Sequence, residues 1–284
     1  MTDHHFNHAA APLRIGRVRL RVRDLASVSD FYRDVLGLTV LERTTRGTVL
    51  GSARAALLEL AGDPEVRPQD RRAAGLFHTA FLLPDRASLG RWIAHAAGAG
   101  VRLQGASDHL VSEALYLADP EGNGIEVYAD RPVSHWHDAD GSIRMATEPL
   151  DIPALLAAGR GAWSGFPADG IIGHVHLQVG DTLAADGFYR DILGLDVSSR
   201  YPGASFYGSG GYHHHLAGNT WNSRGAGRRS AGGAGLESVE LIARDAATLA
   251  AILDRARAAG LEIEARNGTP VLRDPWGTAI ALAG

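Results

Sequence analysis

The run IIGHVHLQV sets His174, His176 and Gln178 at alternate positions, so in an extended strand they share one face and Val175, Leu177 and Val179 share the other. His78 stands in GLFHTAFLL, and Glu126 and Tyr128 share one face of GNGIEVYAD, behind the turn DPEGNG. The stretch Ser205–Trp221, SFYGSGGYHHHLAGNTW, adds three consecutive histidines. Extended, it puts Tyr212 and His214 on one face and His213 and His215 on the other, so one site cannot use all three. Two imidazoles and a carboxylate with open coordination positions suit a non-haem Fe(II) centre for oxygen chemistry. Mn(II), Zn(II) and Ni(II) stay open, because residue types do not set the metal. The plain alternative is that these histidines only satisfy a polar core or surface strand.

The elements that must hold these residues follow from an internal repeat. FYRDVLGL at 31–38 returns as FYRDILGL at 188–195, and IGRVRLRVRDL at 15–25 matches IGHVHLQVGDT at 172–182. Gly75-Leu76 returns as Gly235-Leu236, and ADPEGNGIEV at 118–127 as RDPWGTAIAL at 273–282. The chain is a duplication. Within a half, residues 15–23 alternate as a half-buried strand. Asp24 is an N-cap for a helix whose Leu25, Val28, Phe31, Tyr32, Val35 and Leu36 make one apolar stripe ended by Gly37. Short strands follow over 39–60. Leu76–Leu83 opens a second unit with a helix over 86–99 and strands near 101–105, 113–118 and 124–128. Each half therefore holds two strand–helix–three-strand modules, an α+β design of four βαβββ modules in tandem.

This organisation predicts a disordered leader over 1–12, an N-terminal domain over 13–130, a connecting segment over 131–170 and a C-terminal domain over 171–284. A short helix around 151–158 and an anchoring Trp163 are expected in the connection, and the Gly/Ser/Arg-rich Asn222–Gly235 reads as a mobile loop or lid. The repeat also shows where chemistry is missing. Module 1 has Arg17 where module 3 has His174, and module 4 has Ser238 and Ala281 where module 2 has His78 and Glu126. Ligand-type residues are confined to modules 2 and 3.

Composition narrows the classes further. With 45% hydrophobic and 21% charged residues and a net charge of −4, the chain can bury a substantial core and carries no basic tract for nucleic acid. Arg17, Arg19, Arg21 and Arg23 recur with period two and read as one strand face. No apolar run approaches a membrane span, and His4, His5 and His8 read as bystanders. The absence of cysteine removes disulfides, thiolate nucleophiles and Cys-based metal sites, so a metal would be held by His, Asp or Glu. The expected address is cytoplasmic, by default.

The FY-x-D-x-LGL helix, the paired modules and the DPEGNGIE turn resemble the vicinal oxygen chelate superfamily of glyoxalases, bleomycin resistance proteins and type I extradiol dioxygenases. GASDHLVSEALYLADPEGNGIEVYADRP and GGYHHHLAGNTW are similar to the short bacterial catechol 2,3-dioxygenases, and the resemblance covers the chain after about residue 12. It implies modules paired into open barrels, with His78, His174 and Glu126 as metal ligands and His214 as the acid–base histidine, His213 or His215 being its register alternatives. It also implies that Tyr116, ten residues before the glutamate, is catalytic. Asp108 and His109 fill the place of a further polar residue, and His109 is taken as catalytic. His176, Asn219, Trp221 and Tyr128 are candidates for substrate binding, although Asn219 equally suits a turn and the aromatics the core.

The activity implied is ring cleavage of a catechol beside one hydroxyl, with Fe(II) or Mn(II) as cofactor and O2 as co-substrate, in aromatic compound degradation. The partner implied is a small aromatic diol, with no nucleic acid and no membrane expected; exposed strand edges favour a homo-oligomer such as a dimer, and monomer or dimer stays open. Two other classes stay open, a glyoxalase-type isomerase or lyase with a fourth protein ligand, and a non-catalytic binder of drugs or aromatics. The residues require modules 2 and 3 to share the site, within the chain or across subunits. Modules paired 1 with 2 and 3 with 4 would leave His174, His176 and His214 to form a centre alone.

Overall fold

The structure, a computed structural model, describes residues 4–230 and 232–284. Module 1 comprises β1 (Leu13–Val22), α1 (Leu25–Asp34), β2 (Thr39–Arg43), β3 (Gly47–Gly51) and β4 (Ala56–Gly62). Module 2 comprises β5 (Gly75–Leu83), α2 (Arg86–Gly98), β6 (Gly105–Asp108), β7 (Ser112–Ala118) and β8 (Gly124–Asp130). After α3 (Ile152–Ala158) in the connection, module 3 has β9 (Ile171–Gln178), α4 (Thr182–Tyr189), β10 (Asp196–Tyr201), β11 (Ala204–Gly208) and β12 (Leu216–Asn219). Module 4 has β13 (Gly235–Ala243), α5 (Ala246–Ala258), β14 (Glu264–Arg266), β15 (Thr269–Arg273) and β16 (Ala279–Ala283). The βαβββ order expected from the repeat recurs four times. The strand expected near 101–105 lies later, at β6.

The same local chemistry builds every helix. Asp24, Asp85, Asp151, Asp181 and Asp245 are the N-caps of α1 to α5, each carboxylate accepting a backbone N–H three residues on. Gly37 and Gly194, repeat mates after α1 and α4, adopt φ of 78° and 79°, a left-handed turn that glycine takes without steric cost. The repeated FYRD tyrosine and the repeated Asp-Pro turn are also joined. Tyr32 donates to Asp119 at 3.5 Å, and Tyr189 donates to Asp274 at 2.7 Å. Both carboxylates close their own turn by accepting backbone N–H groups, from Glu121 and Asn123 in one case and Trp276 and Thr278 in the other. Burial raises the pKa of both aspartates.

The strands form two eight-stranded sheets, one made from modules 1 and 4 and the other from modules 2 and 3. In modules 2, 3 and 4 the first and last strands pair in parallel, β5 with β8, β9 with β12 and β13 with β16. The chain divides into two compact units, one of residues 1–6, 22–64 and 78–172, the other of residues 7–21, 65–77 and 173–284. These differ from the linear halves because β1 pairs antiparallel with β13, from Leu13 opposite Ala243 to Arg21 opposite Gly235.

In the first unit, α2 and α3 approach so closely that a Cβ on Gly90 would lie 2.3 Å from the Leu155 carbonyl oxygen and one on Gly159 2.2 Å from the Gly90 backbone. Trp163 anchors the connection as expected, its ring stacked on His95 at 6.4 Å. The expected disorder of 1–12 is corrected where it can be described, residues 1–3 lying outside the described residues. Asn7 caps a turn of 3-10 helix over His8–Ala10, Ala11 is buried, and His8 packs its ring on Tyr212 at 4.4 Å. Among the described residues no helix is long and apolar enough to cross a membrane.

Candidate metal centre

In the first unit the β5–β8 ladder sets Ala80 opposite Glu126, and β7–β8 sets Tyr116 opposite Glu126 and Ala114 opposite Tyr128. Strand alternation then turns His78, Ala80, Leu82, Glu126, Tyr128, Tyr116 and Ala114 to one face. The polar end of that face is a buried pair, His78 Nε2 and Glu126 Oε2 at 2.9 Å, with the residues 6% and 2% exposed. Its apolar end is a cluster of Ala80, Leu82, Ala114 and Tyr128 with Tyr116 and Ile171 against it. Tyr128 is fully buried in this cluster.

Tyr116 lies between an acid and a base. Its hydroxyl is 2.7 Å from His109 Nε2, while His109 Nδ1 is 2.7 Å from the Ala146 carbonyl oxygen. A carbonyl only accepts, so Nδ1 carries a proton and donates to it, which turns Nε2 to the Tyr116 hydroxyl. Burial, and after it the negative charge of Glu126, raises the Tyr116 pKa well above its ordinary value. Of the two polar residues expected ahead of Tyr116, His109 reaches it. Asp108 instead binds Arg131, Oδ2 to Nη2 at 2.5 Å.

In the second unit, β9 pairs with β12 so that Ala217 lies opposite His176 and Asn219 opposite Gln178, and β11 sets Phe206 opposite Ala217. His174, His176, Gln178, Asn219 and Phe206 thus share a face, and the alternate Val175 and Leu177 are buried on the other. The histidine triplet corrects the expectation of an extended strand. Gly210 and Gly211, at φ of 65° and 86°, turn the chain, and β12 starts only at Leu216. Tyr212 accordingly packs on His213 and His215, with centroids at 4.0 and 4.8 Å, rather than sharing a face with His214.

His214 packs its ring on His174 at 4.1 Å and on Phe206 at 5.0 Å, and its Nδ1 meets His213 Nδ1 at 2.9 Å. His215 is fully buried, and burial first, then the nearby His8, holds its pKa well below the usual histidine value. His176 sits among Phe77, Trp221 and Phe206 at 5.0, 5.5 and 5.8 Å. Asn219 is fully buried, and its Oδ1 accepts the Trp221 N–H at 3.2 Å, which is turn chemistry. Trp221 remains 46% exposed.

Among the described residues, the His, Asp and Glu side chains that make up a set able to hold a metal ion are His78, Glu126 and His174, all buried. Two nitrogen donors and one hard oxygen donor fit a divalent transition metal. The alternative set of His174, His176 and His214 is not formed among the described residues. Sequence reasoning missed Phe77 and Phe206, because nothing in the sequence gives the register that brings them to His176. It also missed the Ala146 carbonyl, whose role is carried by backbone and leaves no residue signal. In the segment Asn222–Gly235, expected to be mobile, residue 231 lies outside the described residues, and the start of the segment is tied down by Ser223 Oγ to the Val179 carbonyl at 2.9 Å and by Gly225 N–H to the Gly180 carbonyl at 2.8 Å.

The family model described as the Glyoxalase/Bleomycin resistance protein/Dioxygenase superfamily matches residues 14–127 and 171–282. A protein of Bacillus subtilis strain 168 named catechol-2,3-dioxygenase is 40% identical over 267 residues, which is 92% of this chain and 93% of the relative. Solved structures share the fold at low identity. A putative dioxygenase from Bacillus subtilis aligns with a TM-score of 0.62 at 15% identity, over 95% of this chain and 84% of the other. A glyoxalase I mutant from Zea mays aligns with a TM-score of 0.59 at 18% identity, over 97% and 95% of the two chains.

Proposed function

Given that the chain belongs to the glyoxalase/bleomycin resistance protein/dioxygenase superfamily, we propose that it is an extradiol dioxygenase, opening the ring of a catechol with O2 at an Fe(II) held by His78, Glu126 and His174. The observation that carries this reading is the buried His78–Glu126 pair at 2.9 Å. It occurs in a chain 40% identical along nearly its whole length to a relative named catechol-2,3-dioxygenase. Bound there, Fe(II) would supply a Lewis acid that lowers the pKa of the catechol hydroxyls and a redox-active ion through which the catechol's electrons could reach O2.

The protein's residues do the rest. His214, against the ring of His174, takes the second phenolic proton, and its imidazole can return that proton later in the cycle. Tyr116 donates a hydrogen bond to charge developing on the substrate oxygen, and His109, locked by the Ala146 carbonyl, positions the Tyr116 hydroxyl through its Nε2. The raised pKa of Tyr116 keeps it a donor across the physiological range. The apolar face of Ala80, Leu82, Ala114 and Tyr128 lies beyond the polar end and excludes water from the ring. His176, Phe77 and Trp221 are aromatic surfaces for the substrate's rim.

The test is metal analysis of protein purified without oxygen, followed by catechol in air. About one iron per chain and a yellow ring-opened product are expected. Zinc or nickel with no ring opening would overturn the proposal in favour of isomerase chemistry, and no metal at all would overturn the ligand assignment.

A further inference from the structure

A second basin lies on the β1–β13 side of the fold, among residues the proposed chemistry does not use. Arg21, Arg228, Arg229, Arg266, Arg273 and Glu237 line a cavity of about 360 Å³, the size of a small-molecule site. Its walls are built by different elements, with Arg21 on β1, Glu237 on β13, Arg266 on β14, Arg273 on β15, and Arg228 and Arg229 on the loop before β13. The Arg229 N–H bonds the Trp276 carbonyl and the Ala234 N–H the Arg67 carbonyl, both at 2.9 Å.

The charges do not cancel. Glu237 is shared by Arg19 at 3.0 Å, Arg21 at 3.4 Å and Arg266 at 4.0 Å. Arg273 is satisfied outside the cavity, by a two-pronged bond to Glu264 at 2.5 and 3.0 Å and by the Gly277 carbonyl. Arg228 and Arg229 make no close ion pair among the described residues, Arg228 feeling the charge of Glu264 and Arg229 those of Asp274 and Glu237 at longer range. Burial pushes the Arg229 guanidinium's pKa down against the opposing charges of Asp274 and Glu237, and a guanidinium remains protonated in proteins. The cavity is thus lined by five arginines and one shared carboxylate, with Arg273 engaged by Glu264 and the other four guanidiniums left to face a ligand. Planar forks of N–H donors match the oxygens of phosphate and carboxylate groups two at a time.

We propose that this cavity is a binding site for a small multivalent oxyanion, a phosphate ester or a dicarboxylate, separate from the catechol site. Titration calorimetry on the metal-loaded protein at a fixed ionic strength of roughly 0.15 M tests it, with glycerol 3-phosphate, succinate and uncharged glycerol as probes. Saturable binding of one equivalent is expected for at least one anion and none for glycerol, and the arm that binds identifies the phosphate or the carboxylate source. Arg228→Ala and Arg266→Ala are each expected to weaken that binding about tenfold, a loss of about 1.4 kcal/mol, with unchanged melting temperature. Glu126→Ala is expected to bind as the parent does. The proposal is overturned if neither anion saturates up to about 10 mM, if both arginine variants bind unchanged, or if Glu126→Ala abolishes binding and so locates the anion at the metal.

Discussion

β1 and β9 hold the same place in modules 1 and 3, and their outward-turned residues differ at each position, Arg17, Arg19 and Arg21 against His174, His176 and Gln178. On β9 these side chains are closed off, with His174 2% and His176 4% exposed. On β1 the arginine side chains remain 31–40% exposed and reach glutamates of β13, Arg17 to Glu240 at 3.7 Å and Arg19 to Glu237 at 3.0 Å. A guanidinium on a long stem can leave the strand surface for water and a partner. An imidazole on a single methylene stays where the backbone puts it, which suits a ligand and demands a sheltered face. One duplicated scaffold therefore presents two sheet faces, and side-chain reach decides which one is fit for a metal and which for an anion.

Breaking the metal centre to which β9 contributes His174 should have the largest effect. Glu126→Ala and His174→Ala are expected to remove bound metal and ring-cleavage activity together, read by metal analysis and oxygen uptake; full metal content in either would undo the assignment. His214→Ala should keep the metal and lower kcat about a hundredfold or more, the usual worth of a positioned acid–base group. A fall in metal content instead would make His214 a ligand.

The repeat also offers a comparison in stability. Tyr189→Phe leaves the buried Asp274 short of a donor and is expected to cost about 1–3 kcal/mol in urea unfolding. Tyr32→Phe should cost less, because its bond to Asp119 is longer, 3.5 against 2.7 Å. Equal losses would contradict this ranking. His215 has a folded pKa below its unfolded value of 6.5, so the unfolded chain takes up the proton first. Its contribution to stability is present above that value and is lost as pH falls through it toward the folded pKa. His215→Gln should flatten the slope of stability below pH 6.5 by up to about 1.4 kcal/mol per pH unit. The smallest effect sharpens the comparison. Arg17→His with Arg19→His copies β9 onto β1, yet is expected to bind no second metal, since Ser238 and Ala281 stand where module 2 has His78 and Glu126.

Much of this was legible in the residues. FYRDVLGL and FYRDILGL, the aspartates before each helix and the two Asp-Pro turns prescribe the fourfold βαβββ order, because caps and turns act within a few residues of themselves. The period-two pattern of IIGHVHLQV was enough to separate its polar face from its apolar one. The triplet HHH resisted, because alternation presumes a strand and the preceding glycines bend the chain instead. Asn222–Gly235 looked mobile by composition, but the bonds of Ser223 Oγ to the Val179 carbonyl and of Gly225 N–H to the Gly180 carbonyl depend on residues more than forty positions away.

The sequence by itself determined the duplication, the module order and the types of residue available to a metal, since these rest on local propensity and on chemistry present or absent. Only the tertiary structure decided which strands share a sheet, that His109 rather than Asp108 meets Tyr116, that His214 packs on His174 more closely than His213 does, and that five arginines from four parts of the chain line one cavity. Those outcomes depend on register and on contacts between residues far apart in the chain, and no local pattern encodes them.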